Sequence, residues 1–280
     1  MGEAKLRMRT FAEMLANSKG CIYCAGQNTA TTIEHMPPRA AFVGKQRPKG
    51  LEFPACEACN TNTKSSDLVA SMLARLWPDS TTDIQQRDIR KLLSAVANNI
   101  PELLREMELR RGAEKLARKR HNLPADTHPL HVGPLLNAHL ETFAAKMGFA
   151  LHYEVYGTPI PMDGGVQPMW FSNVQALNDQ IPNELFEMLP SPSTLRQGRK
   201  NVEGQFLYSY ALAERGHMLY FATFNKSFAI AGVTANDRSV NLEKHKDRFP
   251  IVLPGQFRTM NAKVVGALTP ANVSMEVSDN

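Results

Sequence analysis

All four cysteines of this 280-residue chain lie in two Cys-x-x-Cys pairs, Cys21/Cys24 and Cys56/Cys59. A spacing of two residues lets both thiolates of a pair reach one ion at about 2.3 Å, and two pairs complete a tetrahedral zinc shell. Such a shell leaves no open coordination position, so the zinc would be structural. Two disulfides or four unrelated buried thiols are the alternatives. We expect zinc, because the chain shows no secretory signal that would supply an oxidising compartment.

The stretch between the two cysteine pairs holds side chains that could carry out hydrolysis. Glu34 and His35 are adjacent, so in an extended segment they point to opposite faces unless a turn or a metal gathers them. Asn60 directly follows the last cysteine. Oxygen atoms of Glu34 and Asn60 could hold a divalent ion, Mg²⁺ or Mn²⁺ first, which would leave His35 to act as a base. A surface carboxylate at Glu34 and a helix-capping amide at Asn60 are the alternatives.

The order Cys-x-x-Cys, Glu-His-x-x-Pro, Cys-x-x-Cys-Asn resembles that of the HNH endonucleases, which have a ββα-metal fold and in many members a four-cysteine structural zinc. The segments TIEHMPPRAAF and PACEACNTNTKSSD are especially similar to a branch of mostly uncharacterised bacterial HNH proteins. The resemblance covers about 50 residues. It implies that His35 is the general base that activates water against a DNA phosphodiester. It also implies that Glu34 and Asn60 hold a Mg²⁺ or Mn²⁺ ion that stabilises the phosphate and the leaving oxygen.

The chain differs from many HNH sequences in the loop that braces the catalytic histidine. Those sequences carry an asparagine ahead of the second cysteine pair, whereas this chain has Lys-Gly-Leu at 49–51 and no asparagine between Asn28 and Asn60. A backbone carbonyl could brace His35 instead. The alternative function is a non-catalytic zinc module that binds nucleic acid or a partner protein. RNA is also open as a substrate, since one metal and one histidine would serve either polymer.

Three charged residues near these motifs could support substrate binding. Arg39 and Lys64 could hold substrate phosphates, or be ordinary solvated charges. Asp67 could add a carboxylate to the site, or be an acid favoured near a helix start by the helix dipole. The segment from 105 to 120 has an excess of Arg and Lys, which indicates either a face that binds a nucleic-acid backbone or a solvated helix with internal ion pairs.

The composition predicts a globular protein with a moderate basic excess. The formal net charge is +5, and 43% of the residues are hydrophobic, enough for a substantial core. The basic excess fits a polyanionic partner without requiring one. We find no apolar run long enough for a signal peptide or a membrane span, and expect a cytoplasmic protein with no membrane partner.

The patterning of the chain predicts an α+β fold. A short helix should end near Gly20, and residues 68–125 and 128–148 read as helical, with Pro101 in the first turn of a helix. Residues 149–161 alternate apolar and polar side chains, which predicts a strand. Further on, three aromatic and β-branched runs joined at 214–216 and 225–226 predict a meander or a pair of hairpins.

We therefore expect three regions. Residues 19–78 would form a zinc-stabilised ββα-metal (HNH) nuclease module, residues 79–150 a helical region, and residues 151–280 a mixed or antiparallel β-rich region, which could form one domain with the helical region. The C-terminal region could bind a protein partner or a second copy of the chain.

Overall fold

The computed structural model describes residues 3–76, 82–198, 200–237 and 250–260, with side chains from Thr10 onward. Pro78, at the expected end of the nuclease module, and the polar tail after Ala271 lie outside these residues. The helices are α1 (Glu3–Ala16), α2 (Glu57–Arg75), α3 (Asp83–Asn99), α4 (Pro101–Met107), α5 (Arg111–Arg120), α6 (Pro134–Tyr156), α7 (Asn173–Leu177) and α8 (Asn183–Met188). The strands are β1 (Thr32–His35), β2 (Glu52–Ala55), β3 (Gly165–Ser172), β4 (Arg196–Gln197), β5 (Lys200–Asn201), β6 (Phe206–Ala213), β7 (His217–Phe224) and β8 (Phe228–Ala235).

A four-stranded antiparallel sheet forms the C-terminal part, in the order β3-β8-β7-β6. The β6–β7 and β7–β8 connections are tight turns at the two predicted places, where Arg215, Gly216 and Asn225 take positive φ angles. Strands β6, β7 and β8 therefore confirm the predicted meander, and the mixture of helices with an antiparallel sheet confirms the α+β class.

Helix α6 is the element on which the other layers pack. It contacts α2 on one side and strands β3 and β8 on the other. It runs to Tyr156, so the strand predicted over 149–161 is wrong. The helix is buried on most of its faces along 139–152 and has no polar stripe that would reveal a helical period. Its observed end is at Gly157, which takes the left-handed conformation that commonly ends helices.

Gly148 lies inside α6, although the sequence suggested that this glycine ends the helix. A Cβ atom at this position would lie 2.7 Å from Val166 Cγ1 and 2.8 Å from Tyr220 Cε1. The glycine thus lets the helix approach the sheet closely. Because α6 continues past residue 150, it crosses the expected boundary between the helical and β-rich regions; the division into domains stays a prediction.

Strands β1 and β2 form a separate two-stranded antiparallel ribbon, and α2 follows directly. The N-cap of α2 is Cys56, whose Sγ accepts a hydrogen bond from the backbone N–H of Cys59. Asn60 is therefore inside the helix, and the alternative that it caps the helix is wrong. The polar run 61–67 also lies within α2, where Thr63, Ser66 and Asp67 are buried.

The segment 250–260 returns to the N-terminal part of the fold. The backbone N–H of Gly255 donates to the Tyr23 carbonyl at 2.8 Å, and Asn62 Nδ2 donates to the Phe257 carbonyl at 3.0 Å. The Phe257 ring packs edge-to-face on Tyr23 and Phe149, with centroids 5.7 and 5.5 Å apart. The region around the first cysteine pair is thus covered by residues distant in sequence.

Several smaller predictions concern the helices. The N-terminal helix is α1, and Pro101 is the first residue of α4, as expected. In the part of the chain that the structure describes, no helix combines the length and the apolar character needed to cross a bilayer.

Candidate functional site

The four cysteines come together in the structure. Their Sγ atoms all lie within 4.8 Å of one another, all four residues are buried, and none forms a disulfide. A tetrahedral Zn–S₄ shell requires sulfur separations of about 3.8 Å for Zn–S bonds of about 2.3 Å. The donor set is the one that zinc prefers, and the four residues could hold a zinc ion. Among the described residues, this is the one group of three or more Cys, His, Asp or Glu with that proximity.

Backbone N–H groups donate to two of the four sulfurs, which stabilises thiolates. Cys21 Sγ accepts from the N–H of Tyr23 at 3.4 Å, and Cys56 Sγ accepts from the N–H of Cys59 at 3.5 Å. A hydrogen bond with the Cys59 thiol, opposed by burial, lowers the pKa of Cys21 to about 5. The pKa of Cys59 is raised because its proton is held in that hydrogen bond and by burial. A divalent cation would relieve this competition by pairing with all four sulfurs.

Glu34 and His35 do point to opposite faces of the β1–β2 ribbon. Glu34 is 7% exposed and faces α2 and α6, where its Oε1 lies 3.3 Å from Nζ of Lys146. Lys146 also contacts Asp67 of α2, with 2.5 Å between Nζ and Oδ2. The Glu34 carboxylate is thus bound to a buried ammonium group. This side of the ribbon is closed by protein.

The environment of this buried cluster alters its ionisation. Burial raises the pKa of Asp67 to about 6, with Glu34 adding to the effect and Lys146 opposing it. For Lys146, burial favours the neutral form, but the two carboxylates outweigh it and the pKa is raised. Lys146 is therefore charged and is shared between the carboxylates of Glu34 and Asp67. The cluster has a net charge of −1 when both carboxylates are ionised.

His35 lies on the other face, at the partly open edge of the ribbon. Its side chain is 18% exposed, and its Nε2 lies 3.4 Å from Oε1 of Glu52, the residue opposite it on β2. Nη2 of Arg39 lies 3.1 Å from the same Nε2. The Phe11 ring packs edge-to-face on the imidazole at 6.1 Å.

The two neighbours of His35 differ in whether they require a proton on Nε2. A guanidinium group only donates hydrogen bonds, so the Arg39 contact needs a lone pair on Nε2, whereas the Glu52 contact needs a proton there. The neutral tautomer with its proton on Nδ1 therefore favours Arg39, whereas the Nε2–H tautomer and the imidazolium both favour Glu52. A histidine with these two neighbours can take up a proton at Nε2 and have the new charge stabilised by Glu52.

Asn60 is held on the face of the ribbon opposite His35. Its Nδ2 lies 3.3 Å from Oγ1 of Thr32, which alternation places on the same face of β1 as Glu34. Asn60 and Glu34 thus share a face, but His35 lies on the other one. The structure brings Arg39 to His35, whereas Lys64 is exposed on α2, the helix on the Glu34 face. The metal-ligand roles of Glu34 and Asn60 and the phosphate roles of Arg39 and Lys64 stay predictions.

Three residues of this region were not predicted from the sequence. Glu52 could have been found from the pairing of β1 with β2, had the register been known. Lys146 lies too far along the chain for any local pattern to connect it to Glu34. Arg47 organises the loop between β1 and β2: its guanidinium donates to five backbone carbonyls, those of Met36, Pro37, Pro48, Gly50 and Leu51.

The basic segment 105–120 spans the end of α4 and the whole of α5, and no residue of α5 is buried. Arg118 lies 3.2 Å from Glu114 and donates to the Thr127 carbonyl. Internal pairing therefore accounts for part of its charge, as in the solvated-helix alternative.

No protein-family model, no curated protein and no solved structure matches this chain. The resemblance to the HNH endonucleases thus depends on the motif residues alone.

Proposed function

We propose that the chain is an endonuclease of the HNH type, which hydrolyses phosphodiester bonds of DNA with His35 as general base. The observation that carries the proposal is the position of His35 Nε2, partly exposed and between the Glu52 carboxylate and the Arg39 guanidinium. The order of ribbon, helix and four-cysteine cluster agrees with it. The net charge of +5 suits a polyanionic substrate.

The proposed reaction uses each of the three side chains differently. Arg39 is exposed and holds the lone pair of Nε2 in the resting protein, so it leaves the histidine when a substrate phosphate attracts its guanidinium. The freed Nε2 then takes a proton from the attacking water, and Glu52 stabilises the imidazolium that forms. Glu52 here has the role that the resemblance assigned to a bracing asparagine.

The proposal includes two kinds of metal. The four cysteines hold a structural zinc ion, which fixes the start of α2 relative to the ribbon. A Mg²⁺ or Mn²⁺ ion, when bound, stabilises charge on the phosphate and the leaving oxygen. Glu34 and Asn60 are its proposed ligands. They lie on the face of the ribbon opposite His35, so this role requires Glu34 to leave Lys146, Asn60 to leave Thr32, and both side chains to turn toward the phosphate that His35 serves.

The test is cleavage of supercoiled plasmid DNA by purified protein in Mg²⁺ or Mn²⁺. We expect nicking that EDTA abolishes and that His35→Ala lowers by about 10²-fold or more, the usual contribution of a general base. His128→Ala, at an exposed histidine away from the ribbon, is the matched control and should cleave normally. Cleavage that survives His35→Ala would overturn the assignment of the base. A parallel assay with single-stranded RNA distinguishes the two polymers.

A second candidate is a non-catalytic zinc module that binds nucleic acid or a partner protein. It is favoured by one observation: the oxygen donors predicted to hold the catalytic ion already contact the protein's own side chains, Glu34 with Lys146 and Asn60 with Thr32. This candidate predicts that the protein retards DNA in a gel without cleaving it. It also predicts that Glu34→Gln changes stability and leaves DNA binding unchanged.

A further inference from the structure

A cavity of about 400 Å³ lies away from the cysteine cluster, at the C-terminal end of α2. Five different parts of the chain line it: α2, the start of α3, the β1–β2 loop near Val43, the segment before β6, and the β7–β8 turn. The lining residues are Val43, Arg75, Gln85, Asn201, Val202, Gly204, Gln205 and Asn225. Its volume lies in the range of about 300–1,000 Å³ that is typical of small-molecule sites.

Arg75 supplies a buried positive charge to this cavity. The residue is 4% exposed, its Nη2 lies 3.3 Å from Oδ2 of Asp88, and its Nε is buried with no hydrogen-bond partner among the described residues. Asp88 Oδ2 also accepts from the backbone N–H of Gly44 at 2.7 Å, so this carboxylate is shared. A buried guanidinium with an unused N–H is costly unless another acceptor is supplied.

Two glutamine side chains present donors because their oxygen ends are already bound. Gln205 Oε1 accepts from the N–H of Val43 at 2.8 Å, and Gln85 Oε1 accepts from the N–H of Thr82 at 2.7 Å. A backbone N–H can only donate, so both amides are fixed with the oxygen toward the backbone. Neither NH₂ group has a hydrogen-bond partner among the described residues, so these ends remain for a ligand.

Together with Arg75, the two glutamines form a set of donors from three separate elements. No Asp or Glu is among the described residues that line the cavity. The Asn225 amide is oriented in the other sense, because its NH₂ group donates to the Ala74 carbonyl and its oxygen accepts from no donor among the described residues. Asn201 also lines the cavity, but both ends of its amide are bound to Glu203. Of the described lining side chains, three donor groups and one acceptor therefore remain.

We propose that this cavity binds a small phosphate monoester of about mononucleotide size. A phosphate group has three terminal oxygens, which match the three donor groups of Arg75, Gln85 and Gln205, whereas a carboxylate has two in one plane. The remaining volume takes the organic part, and the Asn225 oxygen accepts from one of its hydroxyl groups. The proposal is independent of cleavage at His35.

The test measures binding of AMP, inorganic phosphate, adenosine and acetate to the full chain by isothermal titration calorimetry. We expect AMP to bind more tightly than inorganic phosphate, with adenosine and acetate at least about tenfold weaker than AMP because each lacks the phosphate. Binding of acetate as tight as that of phosphate would overturn the assignment to phosphate, and no binding of AMP would overturn the site.

Two variants remove donors while keeping the local fold. Gln85→Glu and Gln205→Glu each retain the oxygen that accepts the backbone N–H, and a Glu three residues after Thr82 preserves the capping box of α3. Each places a carboxylate where the phosphate would bind, so AMP affinity should fall at least about tenfold.

Gln86→Glu is the matched control, since it adds the same charge one residue away at an exposed position outside the cavity lining. Its AMP affinity should stay within about twofold of that of the original chain. Equal losses in all three variants would show a general charge effect and overturn the site. Loss of AMP binding in His35→Ala, with both glutamine variants unaffected, would place the nucleotide at the β1–β2 ribbon and also overturn it.

Discussion

Lys146 Nζ lies 2.5 Å from Asp67 Oδ2 in an interior where the lysine side chain is completely buried. The same ammonium contacts Glu34 at 3.3 Å, so one cation joins β1, α2 and α6. Lys146→Met keeps an unbranched side chain that is one atom shorter, and leaves two buried carboxylates without their partner. We expect the free energy of unfolding in urea to fall by about 3–5 kcal/mol, the usual effect of breaking a buried ion pair.

Lys91→Met is the control, at an exposed lysine on α3, and should change stability by less than about 0.5 kcal/mol. Adding Asp67→Asn and Glu34→Gln to Lys146→Met removes the unpaired charges and should restore part of the loss. A loss below about 1 kcal/mol for Lys146→Met alone would contradict this account of the cluster.

Zinc content tests the cysteine cluster. Purified protein should contain about one zinc ion per chain, and a strong chelator should lower the melting temperature, because the metal joins the residues after α1 to the start of α2. Adding back zinc should restore the melting temperature, while adding Mg²⁺ should not, since thiolates are poor ligands for magnesium. Less than half an equivalent of zinc in a folded preparation would count against the site.

Two buried histidines predict how stability depends on pH. Burial lowers the pKa of His139 and of His152 to about 4. Each ring stays neutral in the folded state down to that pH, but is protonated in the unfolded chain below about 6.5. Between pH 6.5 and pH 4 the unfolded state thus binds more protons, so these groups make the free energy of unfolding fall as the pH falls, by about 3 kcal/mol each at most.

The measurement is urea unfolding at several pH values for His139→Asn, His152→Asn and, as control, His128→Asn at an exposed histidine. Asn places a polar nitrogen near the original Nδ1 position in each buried site. The two buried variants should lose stability less steeply between pH 6.5 and 4 than the control. Asp67, whose pKa is raised to about 6, acts in the opposite direction over part of this range, so the slopes are compared between variants. Identical slopes would contradict the prediction.

Gly148 and Gly112 form a matched pair for testing the packing of α6. Gly148→Ala should lower the free energy of unfolding by about 1–3 kcal/mol, because the added methyl group would press on Val166 and Tyr220. Gly112→Ala, in α5, meets nothing within 4 Å and should stabilise by up to about 1 kcal/mol through the better helix propensity of alanine. Urea unfolding measures both, and a stabilising Gly148→Ala would mean that the helix and the sheet are less tightly packed than described.

Local sequence patterns predicted the elements whose structure is determined by residues close to one another along the chain. The strands β6, β7 and β8 have turn residues at both connections, and the spacing within each Cys-x-x-Cys pair keeps its two sulfurs close together. Helix α6 is different, because contacts on several sides remove the polar stripe from which a helix is recognised. The opposite directions of Glu34 and His35 follow from strand alternation.

The residues that contact Glu34 and His35 in the folded protein could not be predicted in the same way. Lys146 is 79 residues from Asp67 along the chain, and no local rule links such positions. The same holds for the cavity at Arg75, where Gln85, Gln205 and Asn225 meet only through tertiary packing.

The contact of residues 250–260 with Tyr23 bears on whether part of this protein could be transferred to another gene by recombination. A segment with its own core can be copied into a new gene and fold there unchanged. The ribbon and its cysteines depend instead on Lys146 for charge balance and on Phe149 and Phe257 for cover. Recombination that moved residues 19–78 alone would therefore transfer the motif without the residues that pack against it. The module would have to be transferred together with most of the chain.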